Sequence, residues 1–324
     1  MRKLLIVACL FFALPLYAGT IKLTEDTVWD FHNWESSPII FADDIDLNGH
    51  SLGIAWRDPF HPGEFILSGR VSGKGSLGIS GITSTLIVTG PLDLDGPVAI
   101  AVGNVFLRNT NHFRGELSLA EFGVRLGTTF VEDAGAIPAG TPLALNATLV
   151  MGPYSLDVSS LNGRSDDIPR RVELLLGGGT LTVSGSGPSN FGGFIDGYGA
   201  IIVSGNLHCI RGGGQFAGPI QSAGGTMTLE QSGFPSTAPI TVSPGTLRLL
   251  AGGGAGSISV ADGALEVSVD VLNLRSNSIG QLSLTSSSRF IATVTGFLMI
   301  PMLQISSSIT LGNSVLDFRP PPQE

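Results

Sequence analysis

The chain has 324 residues, 45 of them glycine, with 43% hydrophobic residues, only 13% charged residues and a formal net charge of −9. That apolar content excludes intrinsic disorder, and glycine at this level without a Gly-x-y period excludes collagen. The acidic balance sets nucleic acid and anionic membrane surfaces aside as partners, because both attract basic patches.

Met1-Arg2-Lys3 is a basic start, Leu4 to Leu14 is an apolar run, and Pro15-Leu16-Tyr17-Ala18 ends on a small residue. These are the three parts of a secretory signal, with cleavage expected after Ala18. The apolar run is shorter than the about 20 residues of a spanning helix. Ile6-Val7-Ala8-Cys9 has the outline of a lipobox. The apolar stretch before Cys9 is shorter than the roughly 7–15 residues of a working signal core, so Cys9 reads as an ordinary signal residue. Losing Arg2 and Lys3 takes the net charge from −9 to −11 and leaves Cys209 as the single cysteine. One cysteine makes no intramolecular disulfide.

Residues 19–67 hold all three tryptophans (Trp29, Trp34, Trp56) and three of the five histidines (His32, His50, His61). This segment reads as an N-terminal cap with the first strands. Within it, Asp44-Ile45-Asp46-Leu47-Asn48-Gly49 matches the start of a calcium-binding EF-hand loop, but its twelfth position is Ala55, where a bidentate Glu is required. We read it as a strand with Asp44 and Asp46 facing solvent, closed by an Asn-Gly turn. Leu92-Asp93-Leu94-Asp95-Gly96 reads the same way.

Residues 68–318 alternate apolar and small polar residues, as in Thr180-Leu181-Thr182-Val183-Ser184 and Ala264-Leu265-Glu266-Val267-Ser268-Val269. Alternation with period two marks strands. Gly-x-apolar starts recur at Gly179, Gly199, Gly225, Gly245 and Gly263, spaced 20, 26, 20 and 18 residues. A second element, polar-Phe-x-Gly-x-apolar, recurs at Phe113, Phe191 and Phe216. A period near 20 predicts a solenoid whose units bury their faces by stacking. The expectation is an all-β parallel β-helix with glycine at its corners, on the order of 12 coils and a rod about 60 Å long. A β-sandwich is the alternative. Residues 319–324, with Pro320-Pro321-Pro322, read as a tail that leaves the ladder.

At these repeats the sequence resembles the autotransporter-associated β-strand repeat of bacterial type V secretion passengers. The residues that carry the resemblance are Gly178-Gly179-Thr180-Leu181-Thr182-Val183-Ser184-Gly185 with Asn190-Phe191-Gly192-Gly193, and Ile45 to Leu52 and Ile66 to Leu77 nearer the N-terminus. The resemblance implies a right-handed parallel β-helix displayed at, or released from, the cell surface. Such passengers end in a translocator barrel. The residues after the last clear repeat are too few for eight membrane strands, so the chain is expected to be either a truncated passenger or a stand-alone secreted β-helix. The stretch from Phe290 to Ile305 reads as coil core, because Gly296 and Pro301 interrupt it.

Catalytic patterns are sparse. Asp166 and Asp167, beside Arg170 in a polar insertion from Asn162 to Arg171, are the best carboxylate pair for glycoside chemistry. No Gly-x-Ser-x-Gly elbow and no His-Glu-x-x-His motif occurs. His208 and Cys209 are adjacent and so point to opposite faces of a strand, with Cys209 expected inside. Asn146-Ala147-Thr148 is a glycosylation sequon without force in a bacterial export context. No catalytic, cofactor-binding or metal-ligating residue is assigned. The expected function is that of a non-enzymatic exported β-helix with a structural or adhesive role, acting on an unidentified surface ligand, protein or polysaccharide, with no membrane span in the mature chain. The alternative is a carbohydrate-active β-helix enzyme. The expected location is secreted or at the cell surface, with the periplasm as the third option.

Overall fold

Short alternating stretches favour extended backbone, and the glycine between them permits sharp bends. The computed structural model describes residues 19–31, 38–56, 63–81, 84–120, 127–163, 172–210, 215–230, 238–250, 254–270, 278–285, 287–295, 304–312 and 314–319. Among these there are strands and no helix, and every strand pairing is parallel. The chain winds as a parallel β-solenoid with three faces.

The first three turns show the plan. Thr20–Lys22, Asp44–Asp46 and Val71–Gly73 stack on the first face. Thr27–Phe31, Leu52–Trp56 and Leu77–Gly81 stack on the second. Ile39–Phe41, Glu64–Leu67 and Thr85–Val88 stack on the third. The described strands of residues 19–67, a segment expected as a cap with the first strands, are therefore rungs of the same solenoid in the same register. What closes this end is aromatic: Trp29 stacks on Phe41 at 5.2 Å, and Phe31 and Phe41 both pack on Phe65.

On the second face, fourteen strands follow one another from Thr27–Phe31 to Val315–Arg319. At about 4.8 Å per rung this stack is about 60 Å tall. Inward residues form continuous columns. One on the first face runs Leu156, Leu181, Ile201, Ile220, Ile240, Ile258 and Leu282, and all seven are buried. Burial of such columns, at roughly 25 cal/mol per Å², is what holds turn to turn beside the backbone ladder.

Glycine marks the corners, but not as one series. Gly179, Gly199 and Gly218 stack at the corner before the first face: a Cβ on Gly199 would lie 2.2 Å from the Gly179 carbonyl oxygen, and one on Gly218 1.8 Å from that of Gly199. Gly185, Gly205, Gly225, Gly245 and Gly263 stack at the next corner, before the second face. The irregular spacing of 26 between Gly199 and Gly225 is a change of corner. Within the second series each glycine follows the last by 20 residues, except the final step of 18.

The Phe-x-Gly element also moves around the coil. His112 and Arg114 donate backbone bonds to Leu92 and Leu94, which puts Phe113 on the first face. Phe191 pairs with Cys209 on the second, and Phe216 with Gly197 on the third. All three rings are buried. A Cβ on Gly193 or Gly218 would lie 2.6 or 2.9 Å from the Cζ of Phe191 or Phe216, so the glycine is the seat of the ring two residues before it.

One rung is completed by a side chain. Residues 110–116 form no strand, yet the first face continues through them. The buried Asn111 side chain accepts from the Leu92 N–H at 2.8 Å and donates to the Ala136 carbonyl at 2.8 Å. It adds to the backbone bonds that His112, Arg114 and Asn111 make to the turns on either side, satisfying groups that burial would otherwise leave unpaired.

Candidate functional surface

The outward residues of the three faces differ. The first face is charged near the N-terminus. Asp44 is exposed and Asp46 half-buried around the buried Ile45, as expected, and Asn48 and Gly49 take positive φ (51° and 90°) in the turn. Asp44 accepts from the Arg70 N–H at 2.8 Å, the Arg70 guanidinium donates to Asp93, and Arg114 lies 3.7 Å from Asp95. These carboxylates serve strand ends and exposed ion pairs, each worth about 0–1 kcal/mol. Among the described residues no group of three or more His, Cys, Asp or Glu is arranged to hold a metal.

Further along, the outward side of the first face becomes a row that is uncharged and, apart from Ile202, polar: Thr182, Ile202, Gln221, Thr241, Ser259 and Ser283 occupy successive rungs at one register position. The outward second face is flat near its start, with Gly53, Gly78, Ala99 and Ser118 on successive rungs. Beyond that it carries polar pairs: His208 Nε2 lies 2.9 Å from Glu230, and Arg248 Nε 2.5 Å from Glu266.

Cys209, next to His208, points inward and is fully buried. Desolvation pushes its thiol up to about 12 from 9.0. The native state therefore keeps a proton that the unfolded chain loses. The stability contributed by the neutral thiol is complete below pH 9 and is lost as pH rises toward 12. Native protein is expected to resist maleimide at pH 8, and its stability advantage over Cys209→Ala, read from urea midpoints, is expected to shrink above pH 9. Labelling of the native thiol at the unfolded rate would contradict this.

The third face is different. Its central outward column reads Ile40, Ile66, Ile87, Phe106, Phe130, Val150 and Leu175 on seven successive rungs, and it ends at the buried Asp196, which accepts from the Gln215 N–H at 2.7 Å. Ile40 is 49% exposed, Ile87 8%, and the other five are half-buried. The inward neighbours on both sides are apolar too, apart from Thr129, so the strands read Glu-Phe-Ile-Leu, Thr-Leu-Ile-Val, Asn-Val-Phe-Leu and Thr-Thr-Phe-Val. Alternation alone did not single out the outward residue; the signal was the repeated failure of alternation in consecutive apolar runs.

The expected signal (residues 1–18), Trp34, His32, His61, Asp166, Asp167, Arg170 and the prolines at 320–322 lie outside the described residues. Of the stretch expected as coil core, Phe290 and Ile291 are buried in a strand. No described helix is long and apolar enough to cross a membrane, which leaves strand-built spans untouched. No family model, curated protein or solved structure matches this chain.

Proposed function

We propose that this chain is an exported, non-enzymatic β-helix, similar to an autotransporter passenger, with a structural or adhesive role at the cell surface or in secretion. The parallel solenoid supports the architectural half of this reading. The basic-apolar-small order of residues 1–18 supports export. The carrying observation is the flat row from Thr182 to Ser283 on the first face. A long row of uncharged, mostly polar side chains at a fixed rung spacing offers many weak, repeated contacts, which suits adhesion by multiple engagement.

Fractionation of the native organism, with N-terminal sequencing, tests the export reading: the protein is expected outside the cytoplasm, beginning at Gly19. A cytoplasmic protein retaining Arg2 and Lys3 would refute it. Incubation of the purified protein with a polysaccharide panel is expected to release no new chain ends, and steady release would overturn the non-enzymatic reading.

A further inference from the structure

The apolar column of the third face has the dimensions of an interface. Seven rungs at about 4.8 Å make it about 30 Å tall. With a flanking outward column on each side it is about 20 Å wide, since alternate residues of a strand are about 6.6 Å apart. The patch is therefore about 600 Å² per copy, so two such patches bury about 1,200 Å², the lower bound of a specific standard interface. Of each patch, the apolar central column is about 200 Å² and the two flanks form a polar rim, the layout of an interface with an apolar core.

The aromatic geometry favours a protein sheet over a sugar. Phe106 and Phe130 stack on each other at 4.9 Å with their planes 10° apart, and the Arg108 guanidinium lies 5.3 Å from the Phe106 ring centre. The faces that a flat sugar would need are engaged. What remains is a ridge of edges and branched aliphatic tips, suited to interdigitation between two packed sheets.

We propose that two copies of this chain associate side by side through this column, parallel and in register, about a two-fold axis along the stacking direction. The flanking residues select that arrangement. One flank carries Glu64, Thr85, Asn104, Thr128, Thr148 and Glu173 on successive rungs. The other carries Ser68, Thr89, Arg108 and Glu132, with Arg108 Nε 2.5 Å from Glu132. A two-fold axis along the stack exchanges the flanks. It sets Glu64 against Ser68, Arg108 against Asn104, Glu132 against Thr128 and Glu173 against Gly177, so no charge meets a like charge. An antiparallel pair keeps each flank against itself. Centred on Phe106 it sets Arg108 against its own copy; centred between Phe106 and Phe130 it sets Arg108 against Glu132 but also Glu64 against Glu173, so only the parallel pairing opposes no like charges. Like charges opposed in an interface disfavour the antiparallel pairing.

This association is independent of export and adhesion, and is tested on the purified protein starting at Gly19. Sedimentation velocity over a concentration series is expected to show a monomer–dimer equilibrium. Val150→Lys, which places a charge within the apolar column, is expected to weaken it by about 100-fold or more, while Val150→Ile leaves it within about threefold. Circular dichroism and the urea midpoint of each variant separate loss of contact from loss of fold. Single substitutions Ile66→Cys and Leu175→Cys fix the orientation, since Cys209 is buried. Each is expected to form a disulfide with its own copy on mild oxidation. A monomer at all concentrations, or a dimer unchanged by a folded Val150→Lys protein, overturns the proposal. Cross-linking only in a mixture of the two cysteine variants overturns the parallel arrangement.

Discussion

Gly225→Ala is expected to destabilise the solenoid by about 3–5 kcal/mol, among the largest effects of a single methyl group. The added Cβ would lie 1.8 Å from the Gly205 carbonyl oxygen and 2.7 Å from the Gly205 and Ser204 carbonyl carbons. Those neighbours are backbone, so no side-chain rotation relieves the clash. Relief requires the turn to lift, and the bonds it would break are those that hold the corner: Thr226 N–H to Gly205 at 2.8 Å, and Thr246 N–H to Gly225 at 2.9 Å. The buried Ser222 hydroxyl, which donates to the Gly225 carbonyl at 3.0 Å, would keep only its longer contact to the Thr246 carbonyl at 3.4 Å. In a stack each turn is stabilised by its two neighbours. Hydrogen exchange is therefore expected to show protection lost first from Asn206 to Leu249. Gly187→Ala is the control: no atom lies within 4 Å of its Cβ position, and its change is expected to stay within about 0.5 kcal/mol. Equal urea midpoints for the two variants would refute the corner account.

Asn111→Leu is expected to cost about 2–6 kcal/mol although it keeps the branched outline of the side chain, because two buried backbone groups lose their partners at about 1–3 kcal/mol each. The Leu92 N–H loses its acceptor and the Ala136 carbonyl its donor. Leu92 reports the effect directly. Its amide is expected to exchange much faster in the variant than in the parent protein, while Val71, whose N–H donates to the Pro91 backbone, changes less. Unchanged protection at Leu92 would mean that Asn111 fills space and does not bridge the turns.

Much of this was written locally. Leu181 and Val183 point inward because the residues between them are threonines, and the pleat sends alternate side chains to opposite faces. The same rule placed Ile45 inside and Asp44 and Asp46 outside, against the superficial match to a calcium loop. It also placed Cys209 in the core beside a half-buried His208. The period near 20 residues, taken with the recurrent Gly-x-apolar starts, was enough to choose a stacked solenoid over a sandwich.

Position around the coil was not local. Gly199 and Gly225 carry the same Gly-x-apolar start yet turn different corners, because the angle at which a strand leaves depends on the conformations summed over the whole preceding turn. Phe113, Phe191 and Phe216 share a motif and occupy three faces for the same reason. Asn111 gave no sign in sequence of bridging two turns, since its partners are 19 residues before it and 25 after it. Ile66, Ile87, Phe106 and Phe130 are chemically the same as the core residues beside them. Only parallel pairing across turns shows that they line up on the outside. Alternation, set by the backbone pleat, determined from sequence alone that this chain stacks short strands around a dry core. Register between residues some 20 apart, set by corner geometry and interlocking side chains, decided which of its apolar residues remain on the surface as a contact.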